Sequence, residues 1–500
     1  MQPVNIVVFD KSEEFWTGIP YGNRAGRSAL IITALKEFLP SSEKAHFAEW
    51  LTSNWHKIAQ ADETVGPSTA RWQETNKMAI EAGDWDSVFV PRYTFGTYLE
   101  HRITSELDSA VTEGLLTCTL KAQEVISVTR NQDGAFTLHT LRSTSAASDK
   151  ADIANDTHLL VADKIILAVG SPPVRQITTP DPGCLYIGDI YEPSCDTNLH
   201  RISSMLSETE HSDILILGSN ASALDILYTL MDCEKIMNLT GKVLVLSKSG
   251  SFPHRISNTS SQTEYTPEHL NALRSNSALL SSDILVAVKH EVDHATNLKI
   301  PIADIFPIVS QGVVSALNAL HIDEQHKFVN TVGVEIGKLQ RQAGAEYLDT
   351  VDILSGQNRL ELIHGTFKNY RSTSEGEVEV EYISRPGKEP AILRRSIGVI
   401  IDCTGFQDVA GTSSPLIQSL IANGICTPND SGRGFRVNEH LETSENCFLI
   451  GPLIAGNCNN AIRIWHAESC VRIIGLASQL AHELRSKLEE KSGISELIAA

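Results

Sequence analysis

The nine cysteines of this 500-residue chain include no C-x-x-C pair and keep no regular interval. That spacing argues against a disulfide framework and a zinc site, and suits reduced thiols in a cytoplasmic protein. Basic residues are also short: 41 Lys and Arg stand against 61 Asp and Glu, a net charge of −20. This balance disfavours a nucleic-acid backbone or an anionic membrane as partner, leaving a small-molecule substrate as the expectation. No apolar run reaches the ~20 residues of a transmembrane helix. Met1–Ser12 lacks a basic region followed by an apolar segment, so no secretory leader is expected. Metal-ligand spacing is missing too. His254, His269, His290, His294, His321 and His326 keep no sustained pattern, and the one short match, His290 and His294 at i, i+4, is weak evidence for a ligand pair. No metal is expected.

What is present is a globular composition, 42% hydrophobic and 20% charged, in a chain long enough for two or three domains. The clearest stretch runs from Asp213 to Gly250. Asp213–Leu217 is a short apolar run, as in a parallel strand buried on both faces. Gly218-Ser219-Asn220-Ala221-Ser222-Ala223 then leads into a helical pattern at Ala223, Leu224, Leu227 and Leu230, and Val243–Leu246 is a second buried strand ending in Ser247-Lys248. Strand, glycine turn, helix and strand make a dinucleotide-binding βαβ unit. Its turn lets backbone N–H groups and a helix N-terminus face a pyrophosphate.

Val4–Phe9 reads as another buried strand, closing on Asp10. It has the form of the second strand of such a unit, whose carboxylate holds a ribose hydroxyl. Its first strand and glycine turn would lie upstream, so the sequence is expected to lack ~30 residues of a first βα unit. The helical aromatics Phe47, Trp50 and Trp55 are expected in a core. Arg92, in Pro91-Arg92-Tyr93, is either a surface charge or a cofactor contact. Ala122–Thr140 alternates around Asn131–Gly134, a hairpin signal, and polar 143–157 reads as a solvated loop. Ile165–Leu167 runs through Ala168 to Gly170. Ser251 to about Gly344 is helical by periodicity. Leu360–Phe367 and Gly376–Tyr382 read as a hairpin, and Ile397–Asp402 as a buried strand closing on Gly405. The order of strand, hairpin, apolar strand and glycine thus occurs twice, at Val4–Gly170 and Val243–Gly405, which implies two domains of like plan. Cys447–Leu449 leads to Gly451, and a helix is expected from about Asn460 to Leu488.

Together these residues resemble the flavoproteins with two dinucleotide-binding domains, and more closely the FAD/NAD(P)-binding proteins akin to flavin-dependent N-hydroxylating monooxygenases. The match runs through Thr17–Gly22, Pro91-Arg92, Ala168–Gly170, Gly218–Asp225, Cys403–Gly405 and Leu449–Pro452. The resemblance implies an α/β fold of two Rossmann-like domains, three-layered, with parallel sheets and β-meander crossovers. The FAD-binding domain would comprise 1–205 and 406–500, and the NAD(P)-binding domain 206–405 with a helical insertion at about 251–344. It further implies FAD and NADPH as cofactors and an NAD(P)H-dependent flavin oxidoreductase, monooxygenase-like on a small, amine-bearing substrate.

Carried over by position, Asp10 would hold the FAD ribose and Arg92 would lie on the flavin side. Ala168, Gly170 and Gly405 close strands where the chain crosses between domains, and Gly451 would approach the flavin. Gly218, Ser219, Asn220, Ser222 and Ala223 would cradle the nicotinamide nucleotide's pyrophosphate. Ser247-Lys248 ends its strand with a cation where NAD-specific sites have a carboxylate, which favours NADPH over NADH; the alternative is an ordinary solvated lysine. Two departures stand against the pattern: the absent first glycine turn, and Asn220 where a second glycine is usual. They keep open a non-catalytic nucleotide-binding or assembly protein, or an inactive fragment of a flavoprotein. No catalytic residue is identified; His466 reads as structural. The lack of a close cysteine pair argues against a disulfide reductase.

Overall fold

A computed structural model describes residues 3–492 except 61–65, 143–156, 210, 257–264, 277, 386 and 467–468. The expected polar loop at 143–157 lies almost wholly outside the described residues. Its centre is a five-stranded sheet in the order Leu360–His364, Val243–Ser247, Asp213–Leu217, Ile397–Asp402, Leu185–Ile187. Every neighbouring pair is parallel, with Ile214 opposite Val243 and Leu215 opposite Ile400. A parallel sheet needs both faces covered, and the unbroken apolar runs supply two buried faces. Ile214, Ile216, Val243, Val245, Val399 and Ile401 face a core shared with the helix Ala221–Asp232 and the N-terminal helices. Leu215, Leu217, Leu244, Leu246 and Ile400 face a three-stranded antiparallel meander, Thr366–Ser372, Val378–Ile383 and Ala391–Arg395. Helices, parallel sheet and meander make three layers.

Two sequence expectations change here. Leu360–His364 belongs to the parallel sheet, where Leu360 stands opposite Val243. Its alternating residues resemble a hairpin arm, but the meander begins only after Gly365. Leu185–Ile187, on the N-terminal side of the boundary expected near 205, is likewise an edge strand of this sheet.

The remaining strands lie in smaller sheets. Val4–Phe9 pairs in parallel with Leu116–Lys121. Ile165–Leu167 pairs in parallel with Cys447–Leu449, bringing distant parts of the chain together, and Glu442–Ser444 adds an antiparallel edge. These are two separate sheets, although Phe9 packs against the apolar cluster holding Ile165, Leu167 and Cys447–Leu449. Gln123–Arg130, Phe136–Arg142 and Thr157–Ala162 form a second meander, turning at Asn131–Gly134 as expected. The aromatic helix is core: Phe47 and Leu51 are fully buried, and Trp50 and Trp55 pack at the edge.

Between Val243–Ser247 and Leu360–His364 the chain leaves the sheet for a set of helices: Ser281–Asn297, Ile302–Ala319, Ile322–Lys327 and Gly333–Leu339. They have their own core around Ile284, Val288, Ile305, Val309 and Phe328. Ile302–Ala319 is long and apolar enough to cross a membrane by length and composition, contrary to the expectation of no such run. Its Ile305, Phe306, Val309, Val313 and Leu317 form the stripe buried in that core. The path out and back is clasped where His254–Arg255 pairs in parallel with Gln342–Ala343.

Candidate functional site

The sheet has a switch point between Asp213–Leu217 and Ile397–Asp402, because the chain runs from Asp213–Leu217 to Val243–Ser247 and Leu360–His364 on one side and then returns to Ile397–Asp402 on the other. In open α/β sheets a ligand sits in the crevice outside the strand ends at such a point. Here the crevice is lined by the turn after Leu217 and by Cys403–Gly405. Gly218 has φ +108°, and a Cβ on it would come within 2.8 Å of the Cys403 carbonyl oxygen. Conformation and space both demand glycine. The Gly218 N–H donates to the Leu246 carbonyl, and the Cys403 N–H to that of Leu217, at 2.8 Å each.

The helix Ala221–Asp232 starts at this turn. Asn220 is its N-cap, with φ −95° and no side-chain capping bond. No left-handed backbone is required there, so asparagine is accommodated without strain. Asn220, Ala221 and Ser222 are exposed, and the first backbone N–H groups of the helix have no intrahelical acceptor. Ala223 is fully buried in the core. Ser219 is buried too, and its hydroxyl donates to the Ser251 carbonyl at 2.7 Å and meets the Ser249 hydroxyl at 3.1 Å. Of the expected cradle, then, Gly218, Asn220 and Ser222 border the opening, while Ser219 and Ala223 support it from behind.

At the end of the next strand, the buried Ser247 accepts a hydrogen bond from the Gly250 N–H at 3.2 Å. Lys248 is exposed and forms no ion pair among the described residues. The neighbouring Arg255 is already engaged, 2.6 Å from both Asp349 and Asp352. Ser249 and Ser251 extend this polar edge; nothing in a sequence fingerprint singles them out.

Arg92, expected on the flavin side, is held by partners within the chain. Its Nε donates to the Leu30 carbonyl at 2.7 Å, and its guanidinium lies 2.8 Å from Asp225, on the inner face of the Ala221–Asp232 helix. Burial opposes the charge of Arg92, but Asp225 beside it prevails and holds the arginine above its ordinary pKa. Tyr191 donates to the same carboxylate at 3.4 Å, and the Tyr347 hydroxyl donates to the Leu30 carbonyl at 3.0 Å. Burial raises both tyrosines well above their usual range, so they serve as neutral donors. Asp225 and its tyrosines carry no motif and were missed in the sequence.

Asp10 ends its strand with one carboxylate oxygen accepting the Ser12 and Glu14 N–H groups, at 2.7 and 3.1 Å. Its second oxygen is not used in those bonds. Ala168 and Gly170 follow Ile165–Leu167, and Val174 bridges to Phe406, so the two crossings between units run side by side. Gly170, Gly405 and Gly451 have φ +74°, +108° and +90°, and a Cβ on any of them would meet nothing within 4 Å. Their shared requirement is conformational. The C-terminal helix begins at Cys470, later than expected, because Asn457–Cys458 and Arg463–Ile464 first form a small antiparallel pair. His466 lies in the connection, packed so that a Cβ on Gly337 would come within 2.6 Å of its ring.

Cys426 and Cys447 are buried in one apolar cluster, where the Cys426 thiol donates to the Thr443 hydroxyl at 3.4 Å and that hydroxyl donates to the Cys447 carbonyl at 3.3 Å. The sequence spacing had shown no close pair of cysteines. Among the described residues no group of His, Cys, Asp and Glu side chains could hold a metal ion.

A sequence family described as FAD-NAD(P)-binding matches residues 1–172, the class to which the motifs point. Uncharacterized proteins of Mycobacterium tuberculosis and Mycobacterium bovis are each 28% identical over 494 residues, spanning 97% of this chain and 90% of theirs. Among solved structures, the chain is similar to DfoA, the cadaverine monooxygenase of Erwinia amylovora bound to FAD, at 13% identity and a TM-score of 0.47, covering 84% of this chain and 80% of that one. It is also similar to the ornithine N-hydroxylase KtzI of Kutzneria, at 12% identity and a TM-score of 0.46, covering 98% and 99%.

Proposed function

We propose that this protein is an FAD-dependent oxidoreductase that takes hydride from NADPH, monooxygenase-like on a small, amine-bearing organic substrate. The observation that carries the reading is the Gly218 turn, which opens at a helix N-terminus on the switch point of a parallel sheet. The FAD-NAD(P)-binding match over 1–172 supports a second nucleotide in the N-terminal part. In this reading the N–H groups at Asn220–Ser222 receive the NADPH pyrophosphate, and Lys248 receives the 2′-phosphate. The second oxygen of Asp10 accepts a hydrogen bond from the FAD ribose. Gly170, Gly405 and Gly451 shape the strand ends where the two nucleotides approach each other. The flavin supplies the redox chemistry; the chain binds, orients and excludes water. A reducing, cytoplasmic setting agrees with nine free thiols.

The test is spectroscopic. The purified chain, reconstituted with FAD and desalted, should keep visible flavin absorbance, and NADPH without oxygen should bleach it. Loss of all flavin on desalting would sink the reading. A rival, non-catalytic nucleotide-binding protein draws on one observation: Val4–Phe9 and Ile165–Leu167 lie in separate sheets. NADPH binding with no flavin retention and no NADPH oxidation would favour it.

A further inference from the structure

Val243–Ser247 and Leu360–His364 are neighbouring parallel strands, and their register sets Ser247 opposite His364 at the carboxyl end of both. Side chains alternate between the two faces of a strand. Val243 and Val245 point into the core shared with the Ala221–Asp232 helix, and Leu360 packs against it. Ser247 and His364 therefore lie on the helix side of the sheet, at the end where that helix begins.

The turn after Ser247 is folded against the imidazole. Gly250 has φ +60°, and a Cβ on it would come within 2.9 Å of the His364 Cγ and 3.3 Å of its Cδ2. The Gly365 N–H donates to the Ser247 carbonyl at 2.9 Å, which fastens the two strand ends together. On the other side, the Ser249 hydroxyl lies 3.1 Å from that of Ser219, joining this turn to the Gly218 turn. Lys248 and His364 thus flank one turn beside the nucleotide crevice. Both are exposed, and neither forms an ion pair among the described residues.

The surrounding charges have other occupations. The Ala345–Gly356 helix, packed on the Leu360–His364 strand, carries Glu346, Asp349 and Asp352. Arg255 lies 2.6 Å from each of the two aspartates, and burial raises the Glu346 carboxyl. Glu361 projects to the opposite face of the strand and pairs with Arg395 at 2.9 Å. The charges of the meander lie beyond that same opposite face.

We propose, resting on the reading that NADPH binds at this turn, that His364 is a second residue that reads the 2′-phosphate and makes the preference for NADPH over NADH depend on pH. A phosphate monoester has its second pKa at about 6 and is largely a dianion at neutral pH. An imidazole changes charge between about pH 5 and 8. Lys248 supplies a fixed cation from the turn. His364 supplies, from the strand beside it, a donor that gains positive charge as pH falls. NADH offers an uncharged hydroxyl at that place, so it draws no benefit from the added charge.

The full chain is titrated calorimetrically with NADPH and NADH at pH 6.5 and 8.5. Adenosine 2′,5′-bisphosphate and 5′-AMP are titrated alongside, as the adenosine half with and without the 2′-phosphate. In the parent, the Kd for NADPH and for the bisphosphate should fall about three- to tenfold from pH 8.5 to 6.5, with little change for NADH and 5′-AMP. His364→Gln keeps a neutral donor and loses the charge, so it should abolish this gain and leave NADH binding and the melting temperature as they are. Lys248→Ala should weaken NADPH at both pH values and retain the gain. No gain in the parent, or a gain that survives His364→Gln, overturns the role of His364 and leaves the nucleotide reading standing. So does an equal loss for NADPH and NADH in His364→Gln, which a residue that only packs the turn would give. Failure of the parent to bind NADPH overturns both.

Discussion

The Arg92 guanidinium lies 2.8 Å from the Asp225 carboxylate and joins the start of the Arg92–Thr112 helix to the Ala221–Asp232 helix of the parallel-sheet unit. Both side chains are largely buried, so neither is exchanged for water at low cost. The pair fastens the N-terminal helices to the helix that opens the nucleotide crevice.

Removing one partner leaves an uncompensated buried charge. Arg92→Met or Asp225→Leu should therefore lower stability by about 3–5 kcal/mol. Urea unfolding checks this, and the double substitution should recover part of the loss. The fraction that folds should bind NADPH as the parent does, because Arg92 meets the buried Asp225 and not the exposed Asn220–Ser222 turn.

Gly218→Ala should weaken NADPH binding at least roughly tenfold and cost about 1–3 kcal/mol of stability. The added methyl meets the Cys403 carbonyl in a backbone conformation that L-residues avoid. Calorimetry and urea unfolding measure the two effects. Gly405→Ala is the informative comparison: it has the same φ of +108° but open space around it, so it should cost less.

Lys248→Ala should raise the Kd for NADPH by about tenfold, the scale of one lost charge-assisted contact, and leave that for NADH unchanged. Added salt should shrink the difference. Equal loss for both nucleotides, or none for either, would return Lys248 to the role of a solvated lysine.

A pH dependence follows from Glu324. It accepts the N–H and hydroxyl of Ser281 at 2.8 and 2.7 Å, fixing the start of the Ser281–Asn297 helix, and pairs with Lys327. The hydrogen bond from Lys327 and those from Ser281 hold its carboxyl down at about 2. A depressed folded-state pKa gives stability that is complete above the unfolded value of about 4.5 and lost as pH falls toward 2. Melting temperatures of the parent and Glu324→Gln should thus differ most near neutrality and converge toward pH 2.

The parallel sheet was legible because strands buried on both faces leave unbroken apolar runs, as in Asp213–Leu217, Val243–Leu246 and Ile397–Asp402. Gly218 was legible because a turn that close to another backbone admits one residue type. Leu360–His364 was misread because period alone does not name a partner, and its partner lies beyond the whole helical insertion. Arg92 showed as a charge whose environment only the packing decides. Asp225, Tyr191 and Tyr347 gave no signal, since a polar residue satisfied inside a core differs in sequence from a surface one only through its distant neighbours.

The clasp of His254–Arg255 with Gln342–Ala343 holds the departing and returning chains of the helical insertion side by side. The insertion has its own core, but it is held twice: at this clasp, and against the C-terminal loop, where Arg433 donates to the Val329 carbonyl, Arg463 to Gln325, and Trp465 packs on Phe328. Its sequence can vary on the faces that meet neither hold while the crevice at Gly218 keeps its shape. Variation confined there would retune what the protein meets without disturbing how it holds a nucleotide.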